Sequence, residues 1–257
     1  MSTVLQTGAL VKDYGGKIAL SGVNLSLEGG KIIGLLGSNG SGKTTLLKLI
    51  AGILTPTVGN VSVCGLPVGV ETKKLVSYLP ERTYLNDWMR ISQMLEYFAD
   101  FYEDFEIDRA KKMLLSLGVD ENAKLRTLSK GTREKVQLVL VMSRRAKLYL
   151  LDEPIAGVDP VAREFILDTI LSNRSPDSTI LVSTHLISDV EKVLDEVIFI
   201  RDGRILLQSP ADVIREEQGK TIDEYFREVY KCSEKAYSMS FAPKDAVYCR
   251  LSFRCLR

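Results

Sequence analysis

The sequence predicts an α/β fold with a mainly parallel sheet, an N-terminal antiparallel β-subdomain and an inserted α-helical subdomain. Short apolar runs bounded by turn residues recur in both ends of the chain and indicate buried strands. From about residue 88, apolar residues recur at three- and four-residue spacing, which is typical of amphipathic helices. A chain of 257 residues is long enough for one large domain or for a domain with a subdomain.

Strands dominate the prediction before residue 80. Residues 1–30 alternate apolar and polar side chains around the turn signal Asp13-Tyr14-Gly15-Gly16, which predicts antiparallel strands. Residues 31–36 form an apolar run bounded by glycine, as in a buried strand, and 61–63 and 76–79 are further strand candidates. An apolar face at helical spacing predicts one helix in this region; its members are Leu46, Leu47, Leu49, Ile50 and Ile53.

Helices and then strands are predicted after residue 88. The predicted helices occupy about 88–105, 108–117 and 133–145. The predicted strands occupy 148–151, 179–183, 196–201 and 204–208. Asp202-Gly203 joins the last two strands and predicts a tight hairpin. Pro210 suits the first turn of a further helix.

Residues 37–44, Gly-Ser-Asn-Gly-Ser-Gly-Lys-Thr, match the phosphate-loop pattern G-x-x-x-x-G-K-[ST] between a predicted strand and a predicted helix. The glycines let the backbone wrap a phosphate, and the N–H groups at the helix start supply positive potential. The motif predicts nucleotide binding on a P-loop NTPase core, with Lys43 reaching the β- and γ-phosphates and Thr44 holding Mg²⁺. The candidate binding residues are Gly37, Ser38, Asn39, Gly40, Ser41, Gly42, Lys43, Thr44 and Thr45.

A pair of acids follows the apolar strand at 148–151. Asp152 is positioned to hold Mg²⁺, directly or through water, and Glu153 to polarise an attacking water as general base. Pro154 follows the pair and favours a tight, defined turn. Together with the phosphate loop, these residues predict ATP hydrolysis rather than nucleotide binding alone.

Composition argues against several classes of function. The formal net charge of +1 argues against a dedicated nucleic-acid binder. No run approaches the ~18 apolar residues that span a bilayer, and the N-terminus lacks a signal-peptide layout, so we expect a cytosolic protein. Four cysteines without a C-x-x-C pair argue against a zinc site and favour reduced thiols.

The order of the motifs resembles that of a known family. Leu128-Ser129-Lys130-Gly131-Thr132 lies between the phosphate loop and the acidic pair, just before a predicted helix. Here the sequence resembles the ATP-binding subunits of ABC transporters, which carry an L-S-G-G-Q signature before their paired-acid strand. The resemblance covers about residues 3–225 and implies an ABC ATP-binding domain at 1–225, with its helical subdomain at about 85–145. Residues 226–257 are then expected to form an accessory or poorly ordered tail.

The family works as a pair of nucleotide domains that clamp two ATP molecules head to tail. The resemblance implies that Ser129 and the Gly131 N–H reach the γ-phosphate of ATP held by the phosphate loop of a second chain. It also implies that Asp159, in Gly157-Val158-Asp159, contacts the opposing subunit, although a simple Asp-Pro turn accounts for the same residue. A second nucleotide-binding domain, identical or different, is therefore an expected partner.

Two single residues match family positions and also have plainer explanations. Tyr14 lies 23 residues before Gly37, where the family has an aromatic residue that stacks on adenine. His185, the only histidine, follows a predicted strand where the family's histidine contacts the γ-phosphate and the attacking water. The alternative for each is ordinary packing. The resemblance assigns Tyr14 to nucleotide binding and places His185 in catalysis beside Lys43 and Glu153.

Two motifs depart from the family pattern. Glu81 stands where the family has a glutamine that ligates Mg²⁺; a glutamate can still ligate the ion, but it adds negative charge near a triphosphate. Weaker ATP binding or an altered metal dependence is the expected consequence. Lys130 and Thr132 replace the second glycine and the glutamine of the signature, and Lys130 either adds positive charge near the phosphate or is solvated.

The resemblance implies a subunit that binds ATP and Mg²⁺, hydrolyses ATP and lies peripherally on the cytoplasmic face of the membrane. Its partner is then a membrane-spanning subunit on a separate chain, and the motif variants look most like those of bacterial exporters. Two alternatives stay open: a soluble family member that acts on nucleic acid or ribosomes, and a nucleotide-gated regulatory module with little hydrolysis. For the transporter reading we expect no nucleic-acid partner.

The segment at 82–89 follows Glu81 and contains the only tryptophan, Trp88. In the family this region couples the nucleotide domain to the membrane subunit, and aromatic residues beside an arginine suit an interface. An equally good alternative is that Trp88 anchors the core of the helical subdomain.

Overall fold

Two β-sheets and a group of inserted helices form the described part of the chain, which is residues 2–156, 158, 160–172 and 174–240 of a computed structural model. The strands are β1 (Thr3–Asp13), β2 (Ile18–Glu28), β3 (Ile32–Leu36), β4 (Val58–Val63), β5 (Leu66–Pro67), β6 (Val76–Leu79), β7 (Leu148–Asp152), β8 (Thr179–Thr184), β9 (Glu196–Arg201) and β10 (Arg204–Pro210). The helices are α1 (Lys43–Ile50), α2 (Val70–Leu75), α3 (Ile91–Phe101), α4 (Ile107–Ser116), α5 (Lys130–Met142), α6 (Pro160–Ser172), α7 (Ile187–Val190), α8 (Ala211–Gln218) and α9 (Ile222–Ser240). No described helix is long and apolar enough to cross a membrane.

The larger sheet has strand order β10-β9-β3-β8-β7-β6 and is parallel from β9 to β6, with β10 antiparallel at one edge. Every residue of β3, β7 and β8 is buried, because helices and the smaller sheet cover both faces. The register pairs Leu36 with Thr184 and Asp152 with Ser183, so these three strands end at one edge. The mainly parallel sheet of the prediction is confirmed.

The smaller sheet is antiparallel and has strand order β2-β1-β4-β5. Its buried leucines, including Leu5 and Leu20, share one apolar cluster with Leu46 and Leu47 of α1 and with Leu35 of β3. This sheet therefore covers α1, and α1 lies between the two sheets. The predicted N-terminal antiparallel β-subdomain is confirmed.

The inserted helices α3, α4 and α5 pack on the other face of the large sheet. Phe98 of α3, Met113 of α4 and Val139 of α5 belong to the same buried cluster as Tyr149 and Leu151 of β7. The insertion and the sheet thus share a single apolar core, as the predicted helical insertion requires.

Several local predictions differ from the structure. Helix α1 ends at Ile50, so Ile53, which was expected on its apolar face, is 56% exposed. Helix α5 begins at Lys130, three residues before the predicted start, because Ser129 caps it. Helices α2 and α6 were not predicted. Trp88 is 61% exposed, so its role as a core anchor of the helical subdomain was the wrong alternative.

Helix α9 runs through the predicted domain boundary at residue 225 and reaches Ser240. Ile222 and Tyr225 are buried, and the Phe226 ring packs edge-on against Phe199 of β9, at a centroid distance of 5.2 Å. This part of the predicted tail therefore lies on the large sheet. Residues 241–257 lie outside the described residues, and the domain division stays a prediction.

Arg144 ties the helical insertion to the edge of the large sheet. It follows α5 and is 3% exposed. Its guanidinium donates to the Val76 carbonyl at 2.7 Å, to the Lys74 carbonyl at 3.0 Å and to the Asp104 carboxylate at 3.0 Å. The Tyr102 ring stacks on the guanidinium, 3.9 Å from the ring centroid. One buried cation thus satisfies backbone carbonyls at the sheet edge and a carboxylate beside the insertion.

We expect Arg144→Ala to lower the free energy of unfolding by about 3–5 kcal/mol, because it leaves buried carbonyls and Asp104 without their partner. Urea unfolding followed by circular dichroism measures the change. Arg145→Ala is the matched control, because the neighbouring side chain is 73% exposed. Equal loss of stability in the two variants would contradict the role given to Arg144.

Candidate nucleotide-binding site

The phosphate loop spans the end of β3 and the start of α1, as predicted. Gly40 and Gly42 have φ angles of 81° and 109°, in the left-handed region that residues with a Cβ rarely adopt. A Cβ on Gly42 would also lie 2.7 Å from the Ala19 carbonyl, and one on Gly37 would lie 2.5 Å from the Ile200 carbonyl. The motif needs glycine here because the loop turns tightly and passes close to the backbone carbonyls of Ala19 and Ile200.

The hairpin between β9 and β10 is hydrogen-bonded to the phosphate loop. Its turn residues Asp202 and Gly203 have φ angles of 47° and 72°, as a tight two-residue turn requires, and the hairpin prediction is confirmed. The Gly203 N–H donates to the Ser41 carbonyl at 2.9 Å, and the Gly203 carbonyl accepts from the Ser21 N–H at 2.9 Å. The loop is therefore hydrogen-bonded to the hairpin, and the hairpin to β2.

Lys43 is a buried cation beneath the loop, 5% exposed. Its Nζ donates to the Gly37 carbonyl at 2.8 Å and to the Ser38 carbonyl at 3.2 Å. Nζ also lies 3.2 Å from Glu153 Oε1, in an ion pair that lacks the alignment of a hydrogen bond. The ammonium is thus held at the loop by two carbonyls and one carboxylate, which offset the loss of its hydration.

Asp152 ends β7 and is 1% exposed. Its Oδ1 accepts hydrogen bonds from Thr44 Oγ1 at 3.1 Å and from Ser183 Oγ at 2.7 Å, and its Oδ2 accepts one from Tyr78 at 3.4 Å. Burial raises the pKa of Asp152, the negative charge of Glu81 adds to the rise, and the hydroxyl donors oppose it. A cation beside the carboxylate would restore the stabilisation that burial removes.

The oxygen donors around Asp152 fit Mg²⁺. The Thr44 hydroxyl and the Asp152 carboxylate are adjacent, and Glu81 lines the same groove as both of them. Mg²⁺ prefers hard oxygen ligands and is usually held by one or two carboxylates together with substrate phosphates. Thr44, Asp152 and Glu81 are therefore a chemically suitable set for the predicted ion.

Glu153 occupies an unusual backbone conformation directly after β7. Its φ is 50°, in the left-handed region, and its N–H donates to the Ser183 carbonyl at 3.0 Å. The side chain is 7% exposed, and Oε2 lies 3.0 Å from Nδ1 of His185, which is 37% exposed. The turn therefore places the carboxylate between the Lys43 ammonium and the imidazole. When the imidazole is neutral and donates through Nδ1, its Nε2 is an acceptor.

A cavity of about 710 Å³ opens over the loop. This volume is within the range of ligand pockets, which is roughly 300–1,000 Å³. Tyr14 lines the cavity and is 51% exposed, so packing in the core, one of its alternatives, is wrong. The predicted site residues that line the cavity are Tyr14, Asn39, Gly40, Gly42, Lys43, Thr44, Thr45, Glu81, Glu153 and His185.

Other predicted site residues lie outside this cavity. Gly37, Ser38 and Ser41 do not line it. Ser129 and Gly131 do not line it either: Ser129 caps α5, and its Oγ accepts a hydrogen bond from the Thr132 N–H at 3.2 Å. Asp159 and Gly157 lie outside the described residues. The signature and the phosphate loop of one chain are therefore not brought together.

Sequence reasoning missed Ser183 and Tyr78, whose hydroxyls bind the Asp152 carboxylate. Ser183 lies on β8 two residues before His185, and Tyr78 lies on β6 three residues before Glu81. Each lies two or three residues before a predicted site residue. The signal that could have found them is the parallel pairing that places both strands beside the strand of the acidic pair.

Comparisons with known proteins agree with this geometry. The family model of the ABC transporter matches residues 20–156. An uncharacterized ABC transporter ATP-binding protein of Synechocystis is 30% identical over 78% of this chain and 59% of its own length. YhaQ of Bacillus subtilis, an uncharacterized ABC transporter ATP-binding protein, is 31% identical over 82% of this chain and 72% of its own. The Nod factor export ATP-binding protein I of Cupriavidus pinatubonensis is 28% identical over 88% and 72%.

Solved structures share the fold over most of the chain. An ATP-binding subunit of an ABC transporter superposes with a TM-score of 0.80 at 28% identity, covering 88% of this chain and 99% of its own. CbiO1 of Clostridium perfringens, part of the transporter complex cbiONQ, has a TM-score of 0.71 at 26% identity and covers 84% and 92%. With the motifs, the fold and the site in agreement, the chain belongs to the ABC transporter family, as one of its ATP-binding subunits.

Proposed function

We propose that the chain hydrolyses ATP in a closed pair of nucleotide domains and so drives export through a membrane-spanning subunit on a separate chain. The observation that carries the proposal is the convergence of Lys43, Asp152, Glu153 and His185 at one phosphate loop. These residues supply a cation, a metal ligand, a base and a polar contact within one site. The family to which the chain belongs binds ATP.

Each residue has one role in the proposed reaction. Lys43 stabilises negative charge on the β- and γ-phosphates. Thr44 and Asp152, with Glu81, would hold Mg²⁺, which would supply positive charge beside the phosphate oxygens. Glu153 accepts a proton from the attacking water, and His185, hydrogen-bonded to Glu153, orients that water and the γ-phosphate.

The position of the signature supports a pair of domains. Ser129 and Gly131 stand at the N-terminus of the 13-residue helix α5, where N–H groups and the helix dipole favour a phosphate. They lie outside the cavity of their own phosphate loop. We propose that they complete the site of a second domain, and that Asp159 contacts that domain nearby. Tyr14, exposed at the cavity, then stacks on the adenine.

Four exposed aromatic side chains in the region 84–101 support a membrane-spanning partner. Tyr84, Trp88, Tyr97 and Phe101 are 50–67% exposed, and the Tyr97 and Phe101 rings stack with centroids 4.6 Å apart. Tyr84 also lines a groove of about 810 Å³. Several aromatic side chains with this degree of exposure suit a protein interface. The proposed export direction rests on the similarity to the Nod factor export protein. Docking on the membrane-spanning subunit would place the chain peripherally on the cytoplasmic face of the membrane.

Glu81 favours a second candidate function, a nucleotide-gated module with little hydrolysis. Its charge faces the cavity that also holds Glu153, and it raises the pKa of Asp152. More negative charge in the site opposes the binding of a polyphosphate. The ATPase rate of the chain together with its membrane partner separates the two functions.

We expect Glu153→Gln to lower the ATPase rate by about 100- to 10,000-fold while ATP binding persists, because glutamine keeps the shape of the side chain but cannot accept the proton of the attacking water. The variant should then accumulate as an ATP-bound dimer, seen by size-exclusion chromatography with light scattering. Glu217→Gln on α8, an exposed position, is the control. Turnover by Glu153→Gln at the unmodified rate would rule out Glu153 as the base.

We expect Glu81→Gln to tighten Mg–ATP binding by about two- to tenfold, because it removes a negative charge from the cavity. It should also lower the pKa of Asp152, so that Mg²⁺ binding persists to a lower pH than in the unmodified chain. Calorimetric titration across the acidic range measures both effects, with Glu217→Gln as the control. An unchanged affinity and pH profile would show that Glu81 does not act on the site.

We expect the chain to co-purify with a polytopic membrane protein from native membranes in mild detergent. Trp88→Ala should reduce recovery of that protein about tenfold, because it truncates an exposed aromatic anchor. Leu206→Ala, at an exposed position on edge strand β10 of the larger sheet, should leave recovery unchanged. Mass spectrometry identifies the partners. Recovery of ribosomes or nucleic acid without a membrane protein would instead support the soluble alternative.

A further inference from the structure

Helix α9 reaches the rear of the phosphate loop through one side chain. The Tyr230 hydroxyl accepts a hydrogen bond from the Ser38 N–H at 3.3 Å and donates one to the Ile200 carbonyl. A single hydroxyl can act in both ways at once. It therefore links the loop to the end of β9, although residue 230 lies 192 positions after residue 38 in the chain.

The ring that carries this hydroxyl is in contact with Phe226 and Arg201. It stacks on Phe226, one helical turn earlier, at a centroid distance of 4.1 Å. The Arg201 guanidinium lies 5.3 Å from the ring centroid and donates to the Tyr230 carbonyl at 2.7 Å. Burial raises the pKa of the Tyr230 hydroxyl, which keeps it protonated at neutral pH.

The bridged backbone also determines where the Lys43 ammonium lies. Lys43 Nζ donates to the carbonyls of Gly37 and Ser38, the two residues whose shared peptide carries the Ser38 N–H. The Ile200 carbonyl that accepts from Tyr230 is the group against which Gly37 packs. A rotation of this peptide would move the carbonyl that holds Lys43, and with it the cation.

We propose that Tyr230 is a positioning residue for nucleotide binding: its hydroxyl fixes the first peptide of the phosphate loop and thereby the Lys43 ammonium. The inference rests on the proposed nucleotide site and assigns the C-terminal helix a part in it. Tyr230 itself does not line the cavity over the loop, so it acts through Ser38 and Lys43.

The test compares two variants that each lose one hydrogen-bonded tyrosine hydroxyl. Tyr230→Phe keeps the ring and its stacking and removes only the bridge. Tyr149→Phe is the matched control, because its hydroxyl donates to the Arg144 carbonyl and does not touch the loop. Thermal unfolding of the full chain checks that both variants fold.

We expect Tyr230→Phe to weaken ADP and ATP binding equally, by about three- to tenfold, which corresponds to the loss of one hydrogen bond in the site. Amide hydrogen exchange at residues 37–44 should rise in Tyr230→Phe and stay unchanged in Tyr149→Phe. A nucleotide affinity equal to that of the unmodified chain would overturn the inference, as would equal weakening in both variants. If the unmodified chain binds no nucleotide, it is the proposed function that fails.

Discussion

The parallel pairing of β3, β8 and β7 is the constraint on which the rest of the structure depends. Leu36 pairs with Thr184 and Asp152 pairs with Ser183, so three strands end together at one edge of the sheet. The phosphate loop, Glu153 and His185 each follow one of these strands, and Asp152 ends β7. A register shift of one residue would turn Asp152 to the opposite face and separate it from the loop. Apolar burial on both faces of the sheet therefore fixes the chemistry at its edge.

Charge balance within the site follows from that convergence. Lys43, Asp152 and Glu153 are withdrawn from water, and each is held by partners from a different strand or loop. The site holds two buried carboxylates and one buried ammonium, and the N–H groups of the loop and of the helix start supply further positive potential. Such an arrangement suits a ligand that brings anionic phosphates together with a divalent cation. An anion or a cation alone should bind less well, because it leaves part of the charge in the site without a counter-charge.

The sequence predicted the two sheets, the inserted helices and most of the residues around the cavity, because these signals are carried by adjacent residues. The pattern at 37–44 is the clearest case. Periodicity did not show that α1 stops before Ile53 or that Trp88 is uncovered, because the end of a helix and the covering of a face depend on its neighbours. Helix α6 is only weakly amphipathic. The bonds of Tyr230 and Arg144 join segments distant in the chain, and no local pattern contains them.

The core shared by the insertion and the sheet has a consequence for modularity. Phe98 and Val139 of the insertion lie in one cluster with Tyr149 and Leu151 of the strand that carries the acidic pair. If the inserted helices were replaced by those of a relative, they would pack poorly against the β7 side chains, which fit the present helices. Chimeric subunits built by exchanging these helices therefore need matched exchanges in β7. The same coupling links sequence change in the inserted helices to sequence change in the strand beneath them.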